Sequence, residues 1–308
     1  MMTIKRFPNK QALSDMVGWY RENMVFNLKV TPSTKIASMG SCFAREIKNY
    51  LVANNYNYMQ VEMDKRPWLN EDNDTPPVHA SAAWERVYNV FTLQNILEYS
   101  FCLKTFDRLN DCDNYVVDLL RARVAYPSRQ VAEEDIADHV KKSRAVLEGC
   151  EIFIFTLGLV EIWKLGEMVL GCSPFHYSQY NPEGDFKYYV TGYYENYESL
   201  CASIEILKTF NPAVKIIISV SPVHLCATHR PDTDILSASC YSKSVLRAVA
   251  EAVVRKYKNM FYFPSYEIAT VASAILQKDI YPDGHHAGKE IIASIMDIFN
   301  KKCMVSNA

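Results

Sequence analysis

Apolar and polar positions along the chain change period repeatedly, and each change marks an element. Residues 35–39 form a short β-prone run that stops at Gly40, after which Phe43, Ile47, Tyr50 and Leu51 recur at helical spacing. Residues 56–61 read as a second strand. A helical pattern over 133–147 leads into the apolar run 152–157, whose length suits a strand buried on both faces. Leu200, Ile204 and Leu207 mark another helical face, closed by Asn211-Pro212 before the β-branched run 214–220. Val245, Leu246, Val249 and Val253 stripe a further helix, a short strand follows near 260–263, and a last helix begins after Gly288. Such alternation predicts an α/β fold with a mostly parallel central sheet and helices on both faces.

No internal repeat interrupts this pattern, and the one strongly turn-like polar stretch is LNEDNDTPP at 69–77. A single domain over 1–308 with insertions is expected. Residues 163–197 follow a strand end and are long for a βα connection, which makes them a candidate cap. Seven of the 20 tyrosines fall between 177 and 197. A tyrosine combines a stacking face with a hydroxyl, which suits a sugar ring, so Tyr188 and Tyr193 are candidate substrate-binding residues. The competing reading is a β-hairpin whose cross-strand tyrosines pack on the core. Trp68, Trp84 and Trp163 read as core.

Charge narrows the partners. Lys and Arg total 33 against 35 Asp and Glu, so no basic field exists to hold nucleic acid or an anionic membrane. The nine cysteines are odd in number, scattered and never in a C-x-x-C pair, as expected of reduced thiols. The first residues lack the apolar core of a signal peptide, and no apolar run approaches the roughly 20 residues of a membrane span. A cytoplasmic protein is expected.

In parallel sheets ligands sit beyond the carboxyl ends of the strands, so the residues following each predicted strand carry the chemistry. They are Gly40-Ser41-Cys42, Gly158-Leu159-Val160-Glu161, Ser221-Pro222-Val223-His224 and, after the last strand and a connecting segment, Asp283-Gly284-His285-His286. A serine that attacks an acyl carbon needs a base, a group orienting that base, and donors for the oxyanion. Ser41 lies between a strand and a helix, where backbone N–H groups favour negative charge, and the N–H groups of Ser41 and Cys42 are candidate donors. His286 is the candidate base and Asp283, three residues earlier, its orienter across a tight turn at Gly284. A serine at a helix start is equally the residue type of a plain N-cap, and Cys42 is the rival nucleophile. His224 and His229, after a strand end, are candidates to line the site. Asp283, His285, His286 and His224 are metal-ligand types, but adjacent histidines point apart and no H-E-x-x-H or Cys/His pairing is present. No metal and no cofactor is expected.

The string Gly40-Ser41-Cys42-Phe43-Ala44 resembles the namesake motif of the GSCFA family, which belongs with the SGNH (GDSL-like) hydrolases. Tyr88-Asn89, TLGLVEIW from Thr156, SPVHLCATH from Ser221, YSKSVLR from Tyr241, YFPSYEI from Tyr262 and Asp283 to His286 continue the resemblance in order. It implies a three-layer α/β/α sandwich with the catalytic serine at Ser41 and the Asp-x-x-His pair at Asp283 and His286. The third block departs from the superfamily, with Val160 where an oxyanion-hole asparagine is implied. Asn89 is the candidate replacement, since a side-chain amide can donate and an ionised Glu161 cannot; a turn or cap role is the alternative for Asn89. Glu161 is left a substrate contact or a structural partner. The expected activity is a serine-dependent esterase or O-acyltransferase acting through an acyl-serine on an acylated carbohydrate or small molecule. The alternative is a non-catalytic glycan-binding or assembly protein on a hydrolase scaffold.

Overall fold

A computed structural model describes residues 4–62, 80–121, 124–175, 183–284 and 286–304. The polar stretch at 69–77, Trp68 and His285 lie outside the described residues. The first half of the chain forms α1 (Met16–Asn23), β1 (Ile36–Gly40), α2 (Cys42–Ala53), α3 (Val90–Ser100), β2 (Leu109–Asp111), β3 (Val116–Asp118), β4 (Ala125–Tyr126) and α4 (Arg129–Gly149). The second forms β5 (Ile152–Leu157), β6 (Glu161–Leu165), β7 (Met168–Val169), β8 (Lys187–Val190), α5 (Tyr193–Phe210), β9 (Lys215–Val220), α6 (Ile235–Lys256) and β10 (Met260–Tyr262). It closes with α7 (Ser265–Glu267), a π-turn over Ile268–Ala272, α8 (Ser273–Leu276) and α9 (Lys289–Cys303).

The central sheet runs β1-β5-β9-β10, every pair parallel. Its strands read as near-continuous apolar runs because both faces are covered. Ala37, Met39, Phe153, Phe155, Ile216 and Ile218 face a core built with α3, α4, α5 and α6. The alternate residues Ile36, Ile152, Ile154 and Ile217 face a second core built with α1, α2 and α9. Side chains of a strand alternate between faces, so this split defines three layers, α/β/α.

The second strand expected over 56–61 is reduced to one parallel bridge, Tyr58 to Ile36. The segment does lie along the outer edge of β1, but it does not have that edge to itself. Ser81 N–H donates to Ser38 O at 3.2 Å, Ser38 N–H donates to the Ser81 hydroxyl at 2.9 Å, and Val87 N–H donates to Gly40 O at 2.8 Å. With those groups satisfied by residues 81–87, a continuous ladder from 56–61 has nothing left to pair with.

Two small antiparallel sheets decorate the sandwich, β2-β3-β4 and β7-β6-β8. The first lies against α4 around a buried ionic cluster. The second follows β5 directly, in the region expected to form a cap. Register fixes where the chemistry gathers: Gly40 pairs with Thr156 and Thr156 with Ser219, so β1, β5 and β9 end level with one another.

Candidate active site

Ser41 occupies the N-cap position of α2, yet its side chain makes no capping hydrogen bond. Its N–H donates to the Thr156 hydroxyl at 3.0 Å and its own hydroxyl lies 3.2 Å from the same atom. The end of β5, rather than the helix, therefore holds the serine. Gly40 makes this possible: its φ of +146° is one that L side chains rarely adopt, and a Cβ there would meet Thr156 Oγ1 at 2.2 Å. Ser41 is only 4% exposed. At the first helical position the Cys42 N–H has no acceptor one turn back, so it is oriented as an anion donor.

Tyr88-Asn89 docks beside the serine. Gly158 N–H and Leu159 N–H both donate to Tyr88 O at 3.0 Å. A Cβ on Gly158 would meet Tyr88 O at 2.7 Å and stand 3.4 Å from Ser41 Cβ, so three segments converge at that glycine. Asn89 caps α3: its Oδ1 accepts from Thr92 N–H at 2.8 Å and from the Thr92 hydroxyl at 3.1 Å. The cap reading is met by one atom of the side chain. The cap commits Oδ1, and among the described residues the Nδ2 group donates to no protein atom. Val160 is fully buried in the core, so that position presents no side chain to the site.

Ser41, Cys42, Asn89, Gly158, His224 and Lys243 are among the residues lining a cavity of about 150 Å³, which Glu161, Trp163 and His229 extend to one side. His224 Nδ1 lies 3.2 Å from the Ser239 hydroxyl and its ring lies 4.3 Å from that of Tyr281. Burial, reinforced by Lys243, holds its pKa below the ordinary imidazole value. Glu161 accepts from the Tyr188 hydroxyl at 2.7 Å, the Thr228 hydroxyl at 2.8 Å and His229 N–H at 3.4 Å. Its carboxylate thereby ties β6 to β8 and to the loop after β9.

Lys243 was not singled out from the sequence. It is 2% exposed, and its Nζ donates to Gly158 O at 2.7 Å. Burial pushes its ammonium down to about 7. The signal was present: Lys243 shares a helical face with Leu246, Ala250 and Val253, an apolar stripe in which a lysine is out of place.

Asp283 and His286 form the expected pair across a turn at Gly284 (φ +77°), with His286 Nδ1 2.8 Å from Asp283 Oδ2 and His286 N–H donating to Oδ1 at 2.6 Å. Their side chains are 54% and 55% exposed, on the loop before α9. The Ser41 hydroxyl bonds Thr156, not His286. Asp283 lines a second cavity, of about 560 Å³, that shares His224, Leu225, Cys226 and Lys243 with the first.

In the cap region Trp163 and Tyr188 are cross-strand partners with ring centroids 5.3 Å apart, so a hairpin is present. Tyr188 reaches the site through Glu161. Tyr193 belongs to α5, stacked on Tyr197 at 5.9 Å, and is not among the described residues lining the cavity. No helix is long and apolar enough to cross a membrane, and no group of three or more His, Cys, Asp or Glu is placed to hold a metal, both among the described residues.

This arrangement belongs to a recognised family. Residues 35–299 match the GSCFA family, and the chain is a member of it. No curated protein matches the chain. Among solved structures, the family 3 carbohydrate esterase of Clostridium thermocellum is similar with a TM-score of 0.37 at 11% identity, over 89% of this chain and 95% of that one. A carbohydrate esterase family 3 protein from Talaromyces cellulolyticus is similar with a TM-score of 0.40 at 10% identity, over 87% and 95%.

Proposed function

We propose that the chain is a single-domain SGNH-type serine esterase or O-acyltransferase that acts on the acyl group of a carbohydrate or glycoconjugate, with residues 163–197 as its cap. One observation carries the reading. An N-cap serine that makes no cap bond lines a cavity in company with an asparagine whose amide N–H groups are unspent. Ser41 Oγ adds to the acyl carbon, and its proton passes to His286 Nε2, the ring nitrogen opposite the one that contacts Asp283. The carbonyl electrons form an oxyanion met by the Ser41 and Cys42 N–H groups and by Asn89 Nδ2. Collapse breaks the ester bond, and the departing sugar hydroxyl takes the proton from His286. Water, or a second hydroxyl, then adds to the acyl-serine by the same steps in reverse and frees Ser41. The reaction requires the imidazole within hydrogen-bond reach of Ser41, a contact that commonly tightens only with substrate in place.

The rival reading, a glycan-binding protein that has lost its chemistry, draws on the Ser41 hydroxyl being bonded to Thr156 instead of a base. Fluorophosphonate labelling separates the two. The proposed enzyme takes the label on Ser41 and loses it in Ser41→Ala; a wild type that stays unlabelled and cleaves no aryl acetate would favour the binding protein.

A further inference from the structure

Lys243 is a buried cation that lacks a buried anion. Among the described residues no carboxylate lies within ion-pair distance of it, and its one hydrogen bond is to the backbone oxygen of Gly158. Moving an ammonium out of water costs several kcal/mol unless a counter-charge or a full set of acceptors repays it. Gly158 O could be satisfied by any neutral donor, so that bond alone does not account for a charged side chain at this depth. An ammonium carries three N–H donors, and only one is used. Lys243 lines the cavity that Ser41 lines, and the Gly158 whose oxygen it holds also approaches Ser41.

We propose that Lys243 is a catalytic residue whose ammonium donates, from the floor of the cavity, to the negative oxygen that develops on the substrate as Ser41 adds to the acyl carbon. This rests on the Ser41 reading above and deepens it: the substrate supplies the anion that the fold omits. It also supplies a physical reason for tolerating Val160. A neutral amide donor has been exchanged for a charge, and hydrogen bonds from charged donors are roughly twice as strong. No proton moves to or from Lys243 in the step; it must only remain protonated. The titratable groups that line the two cavities with it are Cys42 and Tyr88, Glu161 on β6, His224, Cys226 and His229 after β9, Cys240 on α6, and Tyr266 and Asp283 after β10. With its pKa held at about 7 by burial, the ammonium is lost as pH rises through that value, and turnover falls with it.

The test has one arm that needs no turnover. Methylphosphonate, a tetrahedral oxyanion, is titrated calorimetrically into the wild type, Ser41→Ala, Lys243→Met and Lys243→Arg. The expected result is binding by the wild type and Ser41→Ala, weakened at least about tenfold in Lys243→Met and retained in Lys243→Arg. With an aryl acetate, Lys243→Met should lose about a hundredfold in kcat at little change in KM, the effect of removing one oxyanion donor. Lys243→Arg should retain turnover without the alkaline fall, since a guanidinium keeps its proton. An ester-cleaving wild type whose Lys243→Met variant keeps both kcat and anion affinity overturns the role of Lys243 alone. A wild type that takes no fluorophosphonate and cleaves no ester overturns the Ser41 reading, and Lys243 falls with it if methylphosphonate also fails to bind.

Discussion

Two buried polar clusters in this molecule are built in opposite ways. Around β3 and α4, Asp118 accepts from Arg108 Nε and Arg121 Nε at 2.8 Å each and from Leu120 N–H at 3.0 Å. Arg121 spends its remaining nitrogens on Ala83 O, Asp135 and the Tyr126 hydroxyl. Charge meets charge, and Arg121 and Asp118 have no measurable exposure. At the ends of β1 and β5 the polar groups are equally deep but under-used: Asn89 keeps its amide N–H groups, and Lys243 has one bond for three donors. Charge-paired polar burial holds a fold together; polar burial with donors to spare beside a cavity leaves them for a ligand.

The sharpest way to break this contrast is Ser41→Ala. Its hydroxyl caps nothing and its removal breaks only the bond to the buried Thr156 hydroxyl, so the cost should be about 1 kcal/mol with the fold retained. Ester turnover should fall on the order of a thousandfold or more, measured as initial rates with an aryl acetate. Activity lost only in Cys42→Ala would move the nucleophile one residue on.

Asp118→Asn tests the other cluster and should show the reverse pattern. Leaving Arg108 and Arg121 without their carboxylate should cost roughly 3–5 kcal/mol in urea unfolding, with turnover per folded molecule unchanged. The pH dependence follows from the same pairing. Burial opposes ionisation of Asp118, but Arg108 and Arg121 overcome it and hold the carboxyl at about 2. A depressed carboxyl pKa stabilises the fold fully above the unfolded value and is lost as pH falls through the folded one. Roughly 2–3 kcal/mol should therefore disappear between roughly pH 5 and 1 in the wild type and not in Asp118→Asn.

Asn89 offers a finer cut, because its observed cap and its proposed donor role sit on different atoms. Asn89→Ala removes cap and donor together, and the cap alone is worth about 1 kcal/mol of stability. Asn89→Asp keeps the acceptor that caps α3 and deletes the amide donor. The expected outcome is a near-native melting temperature with kcat down roughly a hundredfold and KM little changed. Equal kcat in Asn89→Asp and wild type would reduce Asn89 to a cap.

The three-layer core was legible in the sequence because β5 and β9 are apolar on both faces, a pattern that a parallel sheet between helices produces directly. The placement of Ser41 between strand and helix and the contact of Asp283 with His286 were legible because they follow from a strand end and a three-residue spacing, while their catalytic roles belong to the proposal. Three features were hidden for separable reasons. The edge of β1 is completed by residues 81–87, whose extended pairing leaves no periodic trace. The strands β2 to β4 are only two or three residues long, too short to show a period. Lys243 interrupts an apolar stripe, but a lysine one turn before a leucine also suits the solvated edge of such a stripe, and only the packed neighbours show its burial.

The smallest expected effect lies in the proposed cap, where Tyr188 touches the site only through Glu161. Its hydroxyl is one of three donors to that carboxylate, so Tyr188→Phe leaves Glu161 with Thr228 and His229 and should cost about 1 kcal/mol of stability. Trp163 and His229, which do line the cavity, pack on the Tyr188 ring at 5.3 and 5.6 Å, and that ring is retained. What changes is the tether between β8 and the loop after β9. A small aryl acetate does not reach that wall, so its kcat/KM should stay within about twofold, while a large acylated glycan should show a KM a few-fold higher at unchanged kcat, the mark of lost uniform binding. Tyr193→Ala sharpens the result. Tyr193 stacks on Tyr197 along α5, and a KM rise confined to the glycan in that variant too would carry the acceptor across α5. Equal losses on both substrates in either variant would mean that the tyrosine serves packing and that the cap does not select the acceptor.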